Sequence, residues 1–315
     1  GPGSPTGMVS GRGTLFPAKY QHAIYALDWT YGRIFVIHLT PEGASYQAEA
    51  EEFVSGPALP VTDAVVGADG ALYFTTGGRG TQSELMRVVY TGKASTAPAS
   101  PQELPAAAKT RRELEAFHGV VDPAAVDLAW PHLASDDRFL RYAARVAVES
   151  QPVERWAAKV FSETDAQARI TSIVALARRG APEHRDRLLE RLNELPVASL
   201  PLPQQLALMR AYALVMERLG NPSDQQRKVL IEQIDPLLPA TDPHLCTEVL
   251  QLLTYLRAPS VAEKGMQLLA DRGLGKPVSW DGIEEQNAKK GSKLKEIMKN
   301  PPPTDAIDIA YTLRQ

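Results

Sequence analysis

The residues of this chain best suited to acid–base or metal chemistry are histidines, and those after residue 110 stand far apart: His118, His132, His184 and His244. A helical zinc site of the HExxH type needs two histidines four residues apart, because that spacing places both imidazoles on one helix face. None of these four has such a partner. His132 follows a tryptophan and a proline and is predicted to pack between helices rather than to bind a metal. The histidines therefore predict neither a metal site nor a catalytic residue.

Acidic residues near predicted turns form a second group of candidates. Asp136 and Asp137 could bind a cation, but the positive end of a helix dipole explains two carboxylates at a predicted helix start better. Glu42, Asp63 and Asp69 stand at predicted strand ends, where propeller enzymes place cofactor ligands. Turn formation accounts for the same three residues. We therefore predict no cofactor site at these carboxylates.

The glycine-rich stretch Gly77–Gly80 offers backbone amides that could hold an anion. It lacks the following helix and the spacing of a phosphate loop, so a tight connection between strands is the favoured interpretation. Cys246 is the only cysteine, which excludes an internal disulfide, a four-thiolate zinc site and a CxxCH haem attachment. Its apolar surroundings predict a buried structural thiol. Trp156 and Tyr142 are predicted to be core residues.

The densest cluster of charge consists of five lysines near the C-terminus: Lys289, Lys290, Lys293, Lys295 and Lys299. A solvated helix face is the simpler interpretation, and docking onto an acidic partner domain is the alternative. The formal net charge of −3 supplies no basic field for nucleic-acid binding. No run approaches the roughly 18 apolar residues of a transmembrane helix. We expect no nucleic-acid partner and no membrane segment.

Two kinds of sequence pattern indicate which secondary-structure elements hold these residues. Residues 11–92 contain short runs rich in aromatic and β-branched residues, with Asp69-Gly70 as the strongest hairpin signal. Residues 93–108 resemble a Pro/Ala/Ser linker, and residues 109–315 show helical spacing of apolar residues. Residues 1–10 are predicted to be a tag-cleavage scar and a disordered start. The predicted fold is α+β and multidomain: a short antiparallel β-meander of partial propeller blades, then a solenoid of HEAT-like helical repeats.

The helical part is organised around the stretch Ser135–Ser150. Its small residues in mid-helix, Ala143 and Ala147 among them, let a second helix approach closely. A serine or threonine followed three residues later by glutamine predicts further helix starts at Thr164 and Ser223. Helix pairs recur at intervals of roughly 30–40 residues, and HEAT-like repeats run near 40. The sequence thus predicts a stack of helix pairs.

Three segments together resemble a known family: GTLFPAKYQHAIYALDWTYG with FVSGPALPVTDAVVGADGALYFTTGGRGTQSELMRVVYTG, then LAWPHLASDDRFLRYAARVAVESQP, then NPPPTDAIDIAYTLRQ. The family is that of large multidomain haem-binding proteins common in planctomycetes and verrucomicrobia. Its members combine a sugar-dehydrogenase-like propeller, HEAT-like repeats and a c-type cytochrome domain. The resemblance covers nearly the whole chain, which lacks most of the propeller and the CxxCH motif.

This resemblance implies that the chain is the end of the propeller plus the HEAT-like region, with haem c attached downstream in the parent protein and a periplasmic or otherwise extracytoplasmic location. It predicts a non-catalytic scaffold that bridges its own neighbouring propeller and cytochrome domains in electron transfer. Two alternatives stay open: a sugar-dehydrogenase-like enzyme with a truncated propeller, and a free-standing HEAT-repeat adaptor that binds a peptide. Self-association through free β edges is a further expectation. The final helix, with Ile307, Ile309 and Leu313 and no C-cap, predicts that the native chain continues.

Overall fold

The computed structural model describes residues 3–56, 59–78, 80–271 and 304–314. The described residues fall into two compact units, one within residues 3–105 and the other within residues 106–271 and 304–314. The first unit is built of two antiparallel sheets, and the second is built of helices. This mixed architecture confirms the predicted order of a β region followed by a helical region.

The first sheet has four strands in sequential antiparallel order. They are β1 (Pro5–Ser10), β2 (Ile24–Asp28), β3 (Arg33–Glu42) and β4 (Ser45–Ser55), with a short helix α1 (Ala18–Gln21) between β1 and β2. The assignment of residues 1–10 to a disordered start was wrong for the residues that form β1. Pairing with β2 gives the backbone of β1 hydrogen-bond partners that the sequence pattern does not reveal.

The second sheet is a three-stranded meander of β5 (Val61–Val66), β6 (Leu72–Gly78) and β7 (Thr81–Val88). The predicted hairpin at Asp69-Gly70 is confirmed, since the turn joins β5 to β6 and Gly70 has a φ of 73°. A positive φ is strained for residues with a Cβ, so glycine suits this turn.

One apolar core joins the two sheets of the first unit. It consists of Phe16, Ala23, Tyr25, Leu27, Ile34, Val36, Val61, Leu72 and Phe74. Strand β1 packs beside β5, where the Thr6 hydroxyl donates to the Val61 carbonyl at 2.8 Å. Within the described residues neither sheet closes into a barrel.

The second unit consists of helices α2 (Ala106–Glu115), α3 (Ala125–Ala129), α4 (Arg138–Glu149), α5 (Ala157–Ser162), α6 (Ala166–Arg179), α7 (Arg185–Asn193), α8 (Leu202–Leu219), α9 (Asp224–Ile234), α10 (Pro243–Tyr255), α11 (Val261–Asp271) and α12 (Thr304–Leu313). Short 3-10 helices at Trp130–Ala134, Val153–Arg155, Pro182–His184, Val197–Ser199 and Asp235–Leu237 join several of them. Helix α2 begins inside the range 93–108 that was predicted to be a linker, because alanines are the strongest helix formers.

Eight of the described helices form two rows. Helices α2, α4, α6, α8 and α10 each pack against the next. Helices α5, α7 and α9 form a second row, and each also contacts a helix of the first row. Large side chains such as Trp156, Tyr212 and Ile173 are fully buried within this unit. The core assignment was right for Trp156 but wrong for Tyr142, which is 59% exposed on α4.

Helix starts follow the capping rules, with one shift in position. The Asp137 carboxylate caps α4 by accepting from the amides of Phe139 and Leu140, and Ser223 forms the predicted capping box with Gln226. The predicted cap at Thr164 was wrong by one residue. Asp165 caps α6 instead, because its carboxylate accepts from the Ala168 amide at 2.8 Å.

Candidate functional site

The densest convergence of titratable groups in the first unit is centred on the Glu51 carboxylate. It accepts from Lys19 Nζ at 3.2 Å, from the Tyr20 hydroxyl at 3.0 Å and from His38 Nε2 at 2.8 Å. A carboxylate, an ammonium group, an imidazole and a phenol around one point are the kinds of group from which acid–base sites are built. We call these four residues the Glu51 cluster.

Strand register brings the Glu51 cluster together. In the β3–β4 hairpin Val36 pairs with Glu51 and His38 pairs with Glu49, so His38 and Glu51 are diagonal neighbours on one face of the sheet. Helix α1 supplies the other two members, and the Tyr20 ring lies 5.7 Å from both the His38 ring and the Phe53 ring. The cluster therefore fastens α1 to the hairpin at the rim of the apolar core.

The electrostatics of the Glu51 cluster favour a structural role. Hydrogen bonds from His38 and then Tyr20 lower the pKa of Glu51 to about 2, since each of them stabilises the ionised carboxylate. A carboxylate with so low a pKa is a weak proton acceptor at neutral pH. Burial raises the pKa of the neighbouring Tyr25 phenol, which keeps that group neutral. The four groups satisfy one another, and the geometry serves attachment rather than proton transfer.

We expect the Glu51 carboxyl of the folded protein to titrate near pH 2. Its pKa lies below that of an unfolded glutamate, so its stabilising effect is present above pH about 4.5 and is lost as the pH falls towards 2. In His38→Ala the pKa should rise towards the ordinary glutamate range. Carbon-13 NMR titration of the Glu51 carboxyl measures both values, with His22→Ala as the control. A midpoint near 4 in the folded wild type would contradict this assignment.

A second polar arrangement lies among the helices and centres on Glu163. The Trp130 indole donates to its carboxylate at 2.7 Å, and Arg169 and Arg191 donate to its backbone carbonyl at 3.1 and 2.7 Å. Both arginines also reach the Glu194 carboxylate. Burial alone would raise the pKa of Glu163, but the Trp130 indole and nearby backbone amides more than offset it, and the pKa is lowered. This arrangement joins the 3-10 helix at Trp130 to helices α6 and α7.

Two further arrangements connect α4 to its neighbours. The Glu149 carboxylate, 9% exposed, contacts Arg145 one turn earlier on α4 and lies 3.0 Å from Arg178 Nε on α6. The buried Gln151 side chain accepts from the Asp122 amide at 2.9 Å and donates to the Val120 carbonyl at 2.8 Å. Buried polar groups need such partners, so each pair fixes the position of one segment against another.

The four histidines considered as candidates from the sequence each have different surroundings in the structure. His118 Nε2 lies 2.9 Å from the Ala143 carbonyl, and His184 stacks on Phe161 with 6.3 Å between ring centroids. His132 is half-buried in a 3-10 helix, and His244 is exposed at the start of α10. In the described part of the chain no group of three or more His, Cys, Asp or Glu side chains could hold a metal ion.

Of the three predicted strand-end carboxylates, two have local structural partners. Asp69 accepts from the Tyr73 hydroxyl and from Arg87, while the Asp63 carboxylate accepts from the amide of the next residue. Glu42 is exposed at the end of β3. The interpretation of Gly77–Gly80 as a strand connection agrees with the pairing of Gly78 on β6 with Thr81 on β7.

Some predictions concern single residues or lie outside the described residues. Cys246 is buried, as predicted. Arg79 of the glycine-rich stretch lies outside the described residues, and so does the lysine cluster of Lys289, Lys290, Lys293, Lys295 and Lys299. The sequence analysis missed the Glu51 cluster, although alternation along β3 and β4 was a signal for which side chains share a face.

Comparisons with family models, with curated proteins and with solved structures find no match to this chain. Among the helices of the described residues, none combines the length and the apolar character needed to cross a membrane.

Proposed function

We propose that this chain is a scaffold that holds neighbouring domains of a larger protein at a fixed separation. One observation carries the proposal: along the helical unit, polar contacts supplement apolar packing at successive helix junctions. Rows of helix pairs in which each helix is fastened to its neighbours resist bending, because each repeat is held only by its neighbours and the array keeps one shape when every junction is held. The arrangement is consistent with a solenoid of HEAT-like repeats.

The contacts follow one another along the unit. His118 and Gln151 join the loop after α2 to α4, and Glu149 joins α4 to α6. Further along, the Tyr212 hydroxyl on α8 donates to Asn193 on α7 at 3.0 Å, and Gln233 on α9 donates to the Asn193 carbonyl at 2.6 Å.

The last contact of this kind lies beyond α9. Lys264 on α11 lies 2.8 Å from the Asp235 carboxylate, whose pKa is lowered because contacts with Lys264 and Ser260 outweigh its burial. With this pair, polar contacts between helices extend over most of the helical unit.

The β unit supports a related part of the proposal, that its sheets are adjacent blades of a propeller. Both sheets are meanders in sequential order, and their first strands β1 and β5 pack side by side. The face of the second sheet that points away from the shared core exposes Val65 and Leu85, at 61% and 68%. Apolar residues on an outer sheet face are typical of a surface that packs against a further blade.

The redox setting of the scaffold rests on the sequence resemblance. In that setting the chain would separate a propeller from a haem c domain of the same protein, and the haem would supply electron transfer. The residues of this chain would fix the distance between the two centres.

We expect spin labels placed on α2 and α10, the first and last helices of the first row, to give one narrow distance distribution. The labels are attached at two exposed positions through Arg112→Cys on α2 and Gln251→Cys on α10. The substitution Cys246→Ala removes the native thiol from the same protein. Four steps between neighbouring helices, each of about 8–10 Å, separate the two labels. The distance is therefore roughly 30–40 Å for a straight row of helices and shorter for a curved one. Pulsed electron–electron double resonance measures this distance.

The variant Arg169→Ala, which removes contacts to Glu163 and Glu194, should broaden the distribution. Asp224→Ala on α9, which removes only an exposed pair with Arg227, should leave it unchanged. A broad distribution in the parent double-cysteine protein would contradict the scaffold proposal.

A further inference from the structure

A surface groove runs between α8 and α10 and continues to the end of α10. Its first part is a depression of about 280 Å³ with an apolar floor that includes Ala213, Met216 and Leu252. Its second part is a depression of about 410 Å³ beside the loop that follows α8. Tyr255 lines both parts, and its hydroxyl donates to the Asn221 side chain, so the two depressions flank this one side chain.

The two ends of the groove carry opposite charges. Glu217 and Glu248 line the apolar part, while Arg227 and Arg257 line the other part. Arg227 lies 3.5 Å from the exposed Asp224 carboxylate. The side chains of Glu217, Glu248 and Arg257 form no ion pair with any described residue. Such charges are free to meet opposite charges on a bound molecule.

The backbone at Arg257 is unusual for its residue type. Arg257 has a φ of 55° and follows α10 in a Schellman motif, with the Ala258 amide bonded to the Leu253 carbonyl at 2.9 Å. Glycine is the usual residue at this position, because a Cβ strains the left-handed conformation. Residues with a strained backbone conformation cluster at functional sites. Arg257 lines the groove, so we assign its side chain a role there.

We propose that the groove binds an extended peptide segment of another protein, with a basic residue, an apolar residue and an acidic residue on one face. The apolar side chain would occupy the depression over Met216, the basic residue would pair with Glu217 and Glu248, and the carboxylate would pair with Arg257. A small anion would need only the arginine end, whereas charges of both signs flanking an apolar floor match a longer ligand. This inference does not depend on the scaffold role.

The spacing of the probe follows from strand geometry. Alternate residues of an extended chain lie on the same face, so positions 1, 3 and 5 of a pentapeptide can meet the groove together. The probe is the N-acetylated, C-amidated peptide Lys-Ala-Leu-Ala-Asp. The matched control peptides replace its leucine by serine or its aspartate by asparagine.

Binding is measured by NMR of the protein labelled at the methionine methyl groups, with the Met216 signal as reporter and Met216→Leu for its assignment. We expect the probe to shift the Met216 signal saturably, and both control peptides to bind at least tenfold more weakly. Arg257→Gly, which suits the left-handed backbone and preserves the fold, should weaken binding at least tenfold. Arg257→Lys should retain part of the affinity, and Arg112→Ala on α2 should change it less than threefold.

The proposal is overturned by any of three results. The first is an unshifted Met216 signal at millimolar probe, and the second is an unchanged affinity in the folded Arg257→Gly variant. The third is equal shifts from the probe and from inorganic phosphate, which would assign the groove to a small anion instead.

Discussion

Glu149→Ala is expected to lower the free energy of unfolding of the helical unit by about 3 kcal/mol, the lower end of the range for breaking a buried ion pair. The carboxylate lies between Arg145 on α4 and Arg178 on α6. Arg145 is itself only 14% exposed, so removing the carboxylate leaves a guanidinium largely shielded from water and without its counter-charge. The loss comes from that unpaired charge more than from the ion pair itself.

Chemical denaturation followed by far-ultraviolet circular dichroism measures this loss. Asp186→Ala is the matched control, because it removes a carboxylate that is 54% exposed in its pair with Arg185 and should cost less than about 1 kcal/mol. The double variant Glu149→Leu/Arg145→Leu should be more stable than Glu149→Leu alone, since it also removes the unpaired charge. Equal losses in Glu149→Ala and Asp186→Ala would contradict the assignment of Glu149 as a buried counter-charge.

Ala147→Leu is expected to destabilise the same unit by about 1–3 kcal/mol, and Ala143→Leu by a similar amount. Both alanines are almost completely buried, at 0% and 1% exposure, on a helix that packs against α2 on one side and α6 on the other. Three additional carbon atoms at such a contact force neighbouring side chains out of their preferred rotamers or move the helices apart.

The midpoint of chemical denaturation gives the size of the effect for each variant. Ala158→Leu makes the same chemical change at an exposed position of α5 and should shift the midpoint little. If the variants at 143 and 147 kept the wild-type midpoint, the face of α4 that carries these alanines would have to be open rather than packed.

The sequence determined those features whose physical cause lies within a few residues. The Asp69-Gly70 hairpin needs only a turn residue that accepts positive φ, and the capping box of Ser223 and Gln226 needs only a spacing of three residues. The apolar face of α4 follows from its own periodicity. For the same reason the order of a β region followed by a helical region could be predicted.

The sequence was less reliable where local signals compete. Thr164 and Asp165 are both acceptable helix caps, and the folded chain uses Asp165. Tyr142 has the same spacing as buried residues, yet it lies on the exposed side of α4. Strand β1 has few strand-forming residues and depends on pairing with β2. In each case tertiary contacts decided between conformations that the local sequence permits almost equally.

Only the tertiary structure decided which polar groups meet. His38 and Glu51 are 13 residues apart, Trp130 and Glu163 are 33 apart, and the hydrogen bonds within each pair exist only in the folded chain. The α8–α10 groove likewise combines residues from separate helices, and Arg257 reaches it from a backbone conformation that no local propensity favours. Hydrophobic periodicity specifies which face of an element is buried, but it carries no information about which partner covers that face. The choice of partner depends on packing and on the pairing of charges across the whole fold, and this fixes both the fastened helix junctions and the groove.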